Sequence, residues 1–236
     1  GGRRIVTDKA MLALEQELLT RAREGVGKCR RLGDGDGLDL PVFLNDNQKA
    51  VIKRVLASRD QVVVLRGGAG TGKTTVLQAI AQGIQADGKP IVAVAPTASA
   101  SREVLRREGF SGAETVAKLL VDKGLQRKLQ NGVLLVDEAG LLSVRDLLSV
   151  LQLADTHDCR VLLIGDSKQH SSVAAGDALR LTTRYALEPA ELTEIVRQRG
   201  GYKDAVAAVE RGDVERGFQR LFELGALHEI AGEKRL

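Results

Sequence analysis

The sequence predicts an α/β fold in which a mainly parallel central sheet lies between layers of helices. Four short apolar runs are predicted to be strands, at 62–65, 91–95, 133–136 and 161–164. The runs are apolar almost throughout rather than alternating, which is typical of strands covered on both faces. Because helical patterns separate them, the strands are expected to pair in parallel.

The predicted helices fill the segments around these strands. They are placed at 8–24, 45–58, 76–85, 98–107, 113–120, 144–154 and 177–185, with further helices at 203–211 and 214–224 and a weak strand at 226–230. The first helix is predicted to face solvent and to carry one apolar stripe. The segment 25–37 is rich in glycine, aspartate and arginine, which favours a loop or linker.

Composition restricts the possible classes of function. The 43% hydrophobic content is typical of a globular protein. Neither a membrane-spanning run nor a signal segment is present, so we expect a cytoplasmic protein with no membrane partner. The two cysteines and three histidines form no cluster, which disfavours a metal site built from them. The net charge of +4 permits nucleic-acid binding, whereas 3% aromatic residues disfavour an extensive base-stacking surface.

The segment 67–75, Gly-Gly-Ala-Gly-Thr-Gly-Lys-Thr-Thr, carries the strongest functional signal. It matches G-x-x-x-x-G-K-[ST] and lies between a predicted strand and a predicted helix, which is the context that this phosphate-binding P-loop requires. Glycines let backbone N–H groups surround a phosphate, which also faces the positive end of a helix dipole. We expect Lys73 to reach the β- and γ-phosphates of ATP and the Thr74 hydroxyl to hold Mg²⁺. The predicted nucleotide-binding residues of the loop are Gly68, Ala69, Gly70, Thr71, Gly72, Lys73, Thr74 and Thr75.

Two acidic residues, Asp137 and Glu138, follow the third predicted strand. Ligands of open parallel sheets bind beyond the carboxyl ends of the strands, so these residues are expected to converge with Lys73. Asp137 is suited to hold Mg²⁺, and Glu138 to orient and deprotonate an attacking water. A kinase needs no such carboxylate, so the pair favours hydrolysis of the nucleotide. Gln169, shortly after the fourth strand, is placed where an amide can contact the γ-phosphate.

Together these segments resemble the motifs of superfamily 1 helicases, and more narrowly those of the RecD-like 1B branch. Motifs I, Ia, II, III and IV are matched at 67–75, 95–100, 137–140, 165–169 and 194–198. The preceding segment 44–50 looks like the adenine-reading Q motif, which implies that Gln48 recognises the base. The resemblance implies a three-layer RecA-like P-loop NTPase. Its implied catalytic residues are Lys73, Glu138, Gln169 and Arg197, of which Arg197 would stabilise charge on the γ-phosphate.

More specifically, the chain resembles the helicase region of conjugative relaxase-helicases of the TraI/TrwC type. This resemblance rests on the leading helix, on 165–181 and on the combination of the Arg197 motif with 211–216. It implies an ATP-dependent helicase that moves 5′ to 3′ on single-stranded DNA during conjugation. The candidate DNA-contacting residues are Thr97, Ser99, Ser101, Arg102 and His170.

The resemblance also suggests a domain organisation. The predicted parts are an N-terminal helix and flexible linker at 1–40, a RecA-like domain 1A at 41–198 with a small 1B insertion near 108–130, and at 199–236 a helical extension or the start of a second RecA-like domain. The sequence shows no relaxase nuclease residues and no motifs V and VI. We therefore expect a fragment whose partner is a second RecA-like domain, and which alone has feeble ATPase activity and no unwinding activity.

Three alternatives stay open. The chain could belong to a RecD-like repair helicase, to a vestigial ATPase that serves as a single-stranded-DNA-binding module, or to a P-loop ATPase that acts on something other than DNA, such as a signalling switch. The intact Lys73, Asp137, Glu138 and Arg197 argue against a vestigial ATPase. The match to motif Ia favours DNA over another target.

Overall fold

A computed structural model of the protein describes residues 9–35, 37–68, 70–166, 178–194, 205, 208–209 and 211–224. Contacts divide the chain into two compact units. The first comprises 1–68 and 73–192, and the second comprises 69–72 and 193–236.

A six-stranded parallel sheet forms the centre of the first unit. Its strands are β1 (Val62–Gly67), β2 (Ile91–Ala95), β3 (Glu114–Thr115), β4 (Val133–Val136), β5 (Arg160–Gly165) and β6 (Ala190–Leu192). Their order across the sheet is β3-β2-β4-β5-β1-β6. Since β5 lies between β4 and β1, the carboxyl ends of these three strands are neighbours. The four strands predicted from apolar runs are confirmed, and so is their parallel pairing.

Helices cover both faces of this sheet. They are α1 (Lys9–Glu24), α2 (Asp46–Ala57), α3 (Lys73–Ala86), α4 (Val116–Val121), α5 (Lys123–Arg127), α6 (Val144–Thr156) and α7 (Ala178–Tyr185). Alternate residues of β1 face two separate cores: Val62 and Val64 pack with α1 and α4 to α7, whereas Val63 and Leu65 pack with α2 and α3. Burial on both faces explains the unbroken apolar runs, and the predicted three-layer α/β fold is confirmed.

The two ends of helix α2 are determined by residues that lie next to them in the sequence. The Asn45 side chain accepts the backbone N–H of Gln48 at 2.7 Å, and the Gln48 side chain accepts the N–H of Asn45 at 3.1 Å. This capping box satisfies two backbone donors that a helix start leaves without partners. Ser58 ends the helix, so both predicted boundaries are confirmed.

Helix α1 is an integral part of the first unit. Its Leu18 and Ala22 are completely buried, and the helix packs on α6 and α7. Arg21 also pairs with Asp155 at 2.6 Å. The apolar stripe predicted for this helix is therefore a packing surface. Leu32, in the segment predicted to be a linker, is buried in the core beside α2.

Short elements near the edges of the sheet were predicted wrongly. The helix expected at 113–120 begins only at Val116, because Glu114 and Thr115 form β3 and pair with Val94 and Ala95 of β2. Strand β6 and helix α5 were missed. These elements have two, three and five residues, which is too short for a hydrophobic period to show. The helical segment predicted at 98–107 is present and contains a π-helical stretch, Ala100–Leu105.

In the second unit the structure describes one complete helix, α8 (Val214–Glu223). The Asp213 side chain caps it by accepting the N–H of Arg216 at 3.2 Å. The predicted helix at 214–224 is confirmed, whereas 226–230 and most of 203–211 lie outside the described residues.

Of the helices in the described ranges, none combines the length and the apolar character needed to cross a membrane.

Candidate functional site

A pocket of about 170 Å³ lies at the carboxyl edge of the sheet in the first unit. It is lined by Lys73, Thr74, Leu77, Val104, Glu108, Asp137, Glu138, Ile164, Gly165 and Asp166. Lys73 and Thr74 come from the first turn of α3, and the three aspartate and glutamate residues 137, 138 and 166 follow β4 and β5. The strand order thus brings together Lys73 and Asp137, which are far apart in the sequence.

The pocket is dominated by negative charge. Four acidic side chains line it, against one lysine. A triphosphate brings further negative charge, so this pocket suits a nucleotide only together with a cation. Hard oxygen donors such as the Thr74 hydroxyl and the Asp137 carboxylate are the ligands that Mg²⁺ prefers, with phosphates and waters completing its shell. Among the described residues no cluster of three or more His, Cys, Asp or Glu could hold a metal by itself.

Asp137 is held at the end of β4 by its backbone N–H, which donates to the Val94 carbonyl at 2.9 Å. Burial raises the pKa of its carboxyl group, while the Glu138 N–H and the Lys73 ammonium group oppose that rise. Burial also raises the pKa of Glu138, and the negative charge of Asp137 adds to the rise. The two carboxylates are therefore costly to keep charged in the absence of a cation.

Glu138 has an unusual backbone conformation. Its φ of 51° lies in the left-handed region, which non-glycine residues rarely adopt. A short 3₁₀ turn, Ala139–Leu141, follows it directly. Such conformations persist where the surrounding structure enforces them, and they are common at functional sites.

The loop before α3 shows why glycines are needed there. Gly70 and Gly72 both have φ of 80°, which L-residues with a side chain avoid. Ala69 lies outside the described residues, and 70–72 belong to the second unit. Phosphate binding by Gly68, by residues 69–72 and by Thr75 stays a prediction.

Glu108 is a pocket residue that the sequence did not reveal. The Thr74 hydroxyl donates a hydrogen bond to its Oε1 at 2.6 Å. Glu108 follows the helical segment that begins at motif Ia, and it belongs to no motif of its own. Only the packing of that segment beside α3 could identify it.

Gln48, the predicted adenine-reading residue, is buried with 3% of its surface exposed. Its Oε1 accepts the N–H of Asn45, as described above, so the side chain has a structural task in the helix cap. Gln48 does not line the pocket around Lys73. Base recognition by Gln48 stays a prediction.

The candidate DNA-contacting residues of motif Ia divide into two groups. Thr97, Ser99 and Arg102 are exposed, and the Thr97 hydroxyl caps the helical segment by accepting the N–H of Ala100 at 3.1 Å. Ser101 is completely buried and donates to the Ala98 carbonyl at 3.2 Å. The assignment of Ser101 is therefore corrected, because a completely buried hydroxyl cannot touch DNA in this conformation.

A basic cluster surrounds Glu114 beside this segment. The Glu114 carboxylate lies 3.0 Å from Lys118, 3.1 Å from Arg106 and 3.7 Å from Arg102. A hydrogen bond from Lys118 is the largest of the effects that lower the pKa of Glu114. One carboxylate thus holds three cations, and Arg106 and Lys118 join Arg102 as candidates for contact with phosphates.

The other predicted residues, Gln169, His170 and Arg197, lie outside the described residues.

A family model described as an AAA domain matches residues 43–232 of this chain. The multifunctional conjugation protein TraI of Escherichia coli (strain K12) is 28% identical over 231 residues, which cover 93% of this chain and 13% of TraI. The ATP-dependent RecD2 DNA helicase of Deinococcus radiodurans is 35% identical over 162 residues, which cover 66% of this chain and 22% of RecD2. The chain thus spans a small part of the length of these curated relatives.

Solved structures show the same fold. A Pif1 helicase structure that addresses DNA unwinding at forked double-stranded DNA has a TM-score of 0.56 and 19% identity, over 80% of this chain and 52% of the other. A Pif1 from Bacteroides in complex with ADP-AlF4 has a TM-score of 0.51 and 19% identity, over 80% and 50%. The AAA-domain match covers most of the sequence. The chain therefore belongs to the AAA-domain family, in which it resembles the RecD-like helicase regions of conjugation proteins.

Proposed function

We propose that this chain is the ATP-hydrolysing motor domain of a DNA helicase of the conjugative relaxase type. In this proposal it moves 5′ to 3′ along single-stranded DNA. The observation that carries the proposal is the single pocket that contains Lys73, Thr74, Asp137 and Glu138 at the carboxyl edge of the sheet. The similarity to the conjugation protein TraI supports a role in conjugation, and the similarity to the RecD2 DNA helicase supports action on DNA.

Different residues of the pocket are proposed to bind the phosphates and the Mg²⁺ of MgATP. Lys73 attracts the β- and γ-phosphates, and the N-terminus of α3 adds a positive dipole. Thr74 and Asp137 would hold Mg²⁺, and bound Mg²⁺ would neutralise charge on the phosphate oxygens. Because the pocket carries four carboxylates, Mg²⁺-free ATP should bind weakly.

Glu138 is the general base of the proposed reaction. Its carboxylate accepts a proton from the water that attacks the γ-phosphorus, and the bond to the β-phosphate breaks to give ADP and phosphate. Burial raises its pKa, which makes the ionised carboxylate a stronger base than an exposed one. Gln169 and Arg197 are proposed to contact the γ-phosphate from segments outside the described residues.

Single-stranded DNA is proposed to lie along the motif Ia segment. Thr97, Ser99 and Arg102 are exposed there, and the cluster around Glu114 adds Arg106 and Lys118. Contacts of this kind go to phosphates and sugars, so binding should depend on salt more than on sequence. His170 is proposed to contact the same strand.

A second RecA-like domain is the proposed partner in the longer protein. Closure of a cleft between two such domains would couple ATP hydrolysis to movement along the strand. This chain alone is accordingly proposed to bind MgATP, to hydrolyse it slowly and not to unwind DNA.

An ATPase assay with and without single-stranded DNA tests this proposal, on this chain and on a longer version that includes the second domain. We expect slow hydrolysis by this chain, and faster hydrolysis by the longer version when DNA is present. Hydrolysis that DNA never stimulates would indicate an ATPase with another target. DNA binding without any nucleotide binding would indicate a vestigial ATPase.

A further inference from the structure

The hydrogen bond between Thr74 and Glu108 gives the nucleotide pocket a component that none of the predicted roles includes. Thr74 Oγ1 and Glu108 Oε1 are 2.6 Å apart, which is typical of a charge-assisted hydrogen bond between a hydroxyl and a carboxylate. A carboxylate only accepts, so the single proton of the hydroxyl is directed at Glu108. The lone pairs of Oγ1 then remain available to accept a hydrogen bond or to bind a cation.

Glu108 is held firmly in this position. Its backbone N–H donates to the Val104 carbonyl at 3.1 Å, and its own carbonyl accepts Gln78 Nε2 at 3.0 Å. Leu105, one turn earlier, is completely buried. The backbone of Glu108 is thus fixed beside α3 by its own hydrogen bonds, and its carboxylate is placed within reach of Thr74.

We propose that Glu108 is a positioning residue of the nucleotide site, which fixes the rotation of the Thr74 hydroxyl so that a lone pair of Oγ1 would be available to hold Mg²⁺. The proposal rests on the proposed function. Partners of this kind orient the groups that bind a metal, and their loss typically weakens metal affinity by about 10- to 100-fold. The essential property is the acceptor oxygen that Glu108 presents to Thr74.

Binding of a fluorescent ATP analogue, titrated with MgCl₂ and compared with EDTA, tests this role. We expect Glu108→Ala to weaken the apparent Mg²⁺ affinity by about tenfold, while analogue binding in EDTA is not weakened, because one negative charge of the pocket is removed. Glu108→Gln keeps an acceptor oxygen and should recover most of the Mg²⁺ affinity. Glu103→Ala is the matched control, because Glu103 is an exposed carboxylate of the helical segment just before Glu108 and bonds Ser99 instead.

The outcomes separate this proposal from the proposed function. Wild-type binding that does not depend on Mg²⁺ would overturn both. Mg²⁺-dependent binding that Glu108→Ala leaves unchanged, or that Glu108→Gln weakens as much as Glu108→Ala does, would overturn only the role of Glu108. If Glu108→Ala does not fold, Glu108→Leu replaces it, since it keeps the bulk of the side chain without an acceptor, and the same tenfold loss is expected.

Discussion

Lys73 and Asp137 share one pocket, where burial raises the pKa of the Asp137 carboxyl and the Lys73 ammonium group opposes that rise. The lysine begins α3, whereas the aspartate follows β4. Their interaction depends on the sheet order, which places β5 between β4 and β1. The positive charge of Lys73 and the negative charge of Asp137 can therefore each be tested by substitution.

Lys73→Ala should weaken MgATP binding by at least about tenfold, because a charge-assisted hydrogen bond to a phosphate is lost. Isothermal titration of the nucleotide in MgCl₂ measures the change. Lys53→Ala is the control, since Lys53 is an exposed lysine of α2 and does not line the pocket. Equal affinities of the Lys73→Ala variant and the wild-type protein would contradict the P-loop assignment.

Glu138→Gln should leave MgATP binding intact and slow hydrolysis by about 100-fold or more, because an amide cannot accept the proton of the attacking water. Steady-state phosphate release gives the rate, and titration of the nucleotide gives the affinity. The substitution keeps the shape of the side chain, so the strained backbone at this residue is not disturbed. An unchanged rate of hydrolysis would show that another group activates the water.

Asp137→Asn should raise the melting temperature of the nucleotide-free protein at neutral pH. The folded-state pKa of Asp137 is raised, so its protonated form is the one that the fold favours. That contribution to stability is fully present at acidic pH and is lost as the pH rises through the folded-state pKa. Thermal melts across a pH series should therefore show an advantage of Asp137→Asn at neutral pH that disappears toward acidic pH. An advantage that is constant with pH would exclude titration of Asp137 as the cause.

Much of the fold follows from short-range signals in the sequence. The four buried strands are continuous apolar runs, and Asn45 with Gln48 marks the start of α2 as a capping box. These signals lie within a few residues of one another. The position of Lys73, Thr74, Asp137 and Glu138 around one pocket follows in turn from the parallel sheet, because chemistry in such sheets is placed at their carboxyl edge.

Long-range contacts of single side chains could not be predicted in this way. Arg160 is buried with 7% of its surface exposed, and its guanidinium donates to the carbonyls of Arg30, Ser58 and Asp60. In the sequence it is only an arginine before an apolar run. Glu108 was missed for the same reason, since its partner Thr74 belongs to another element. Such residues become visible only when three-dimensional neighbours are known.

Arg106→Ala should weaken binding of single-stranded DNA by a similar factor for every sequence, and it should lower the salt dependence of binding by about one counterion. The guanidinium of Arg106 is held beside the exposed motif Ia segment by Glu114 at 3.1 Å and by the Ala113 carbonyl at 3.1 Å. Fluorescence anisotropy with labelled oligonucleotides of different composition, over a series of salt concentrations, measures both effects. Lys53→Ala again serves as the control for a lost surface charge. A loss confined to one DNA sequence would mean that Arg106 reads bases, and an unchanged salt slope would mean that DNA follows another path across the domain.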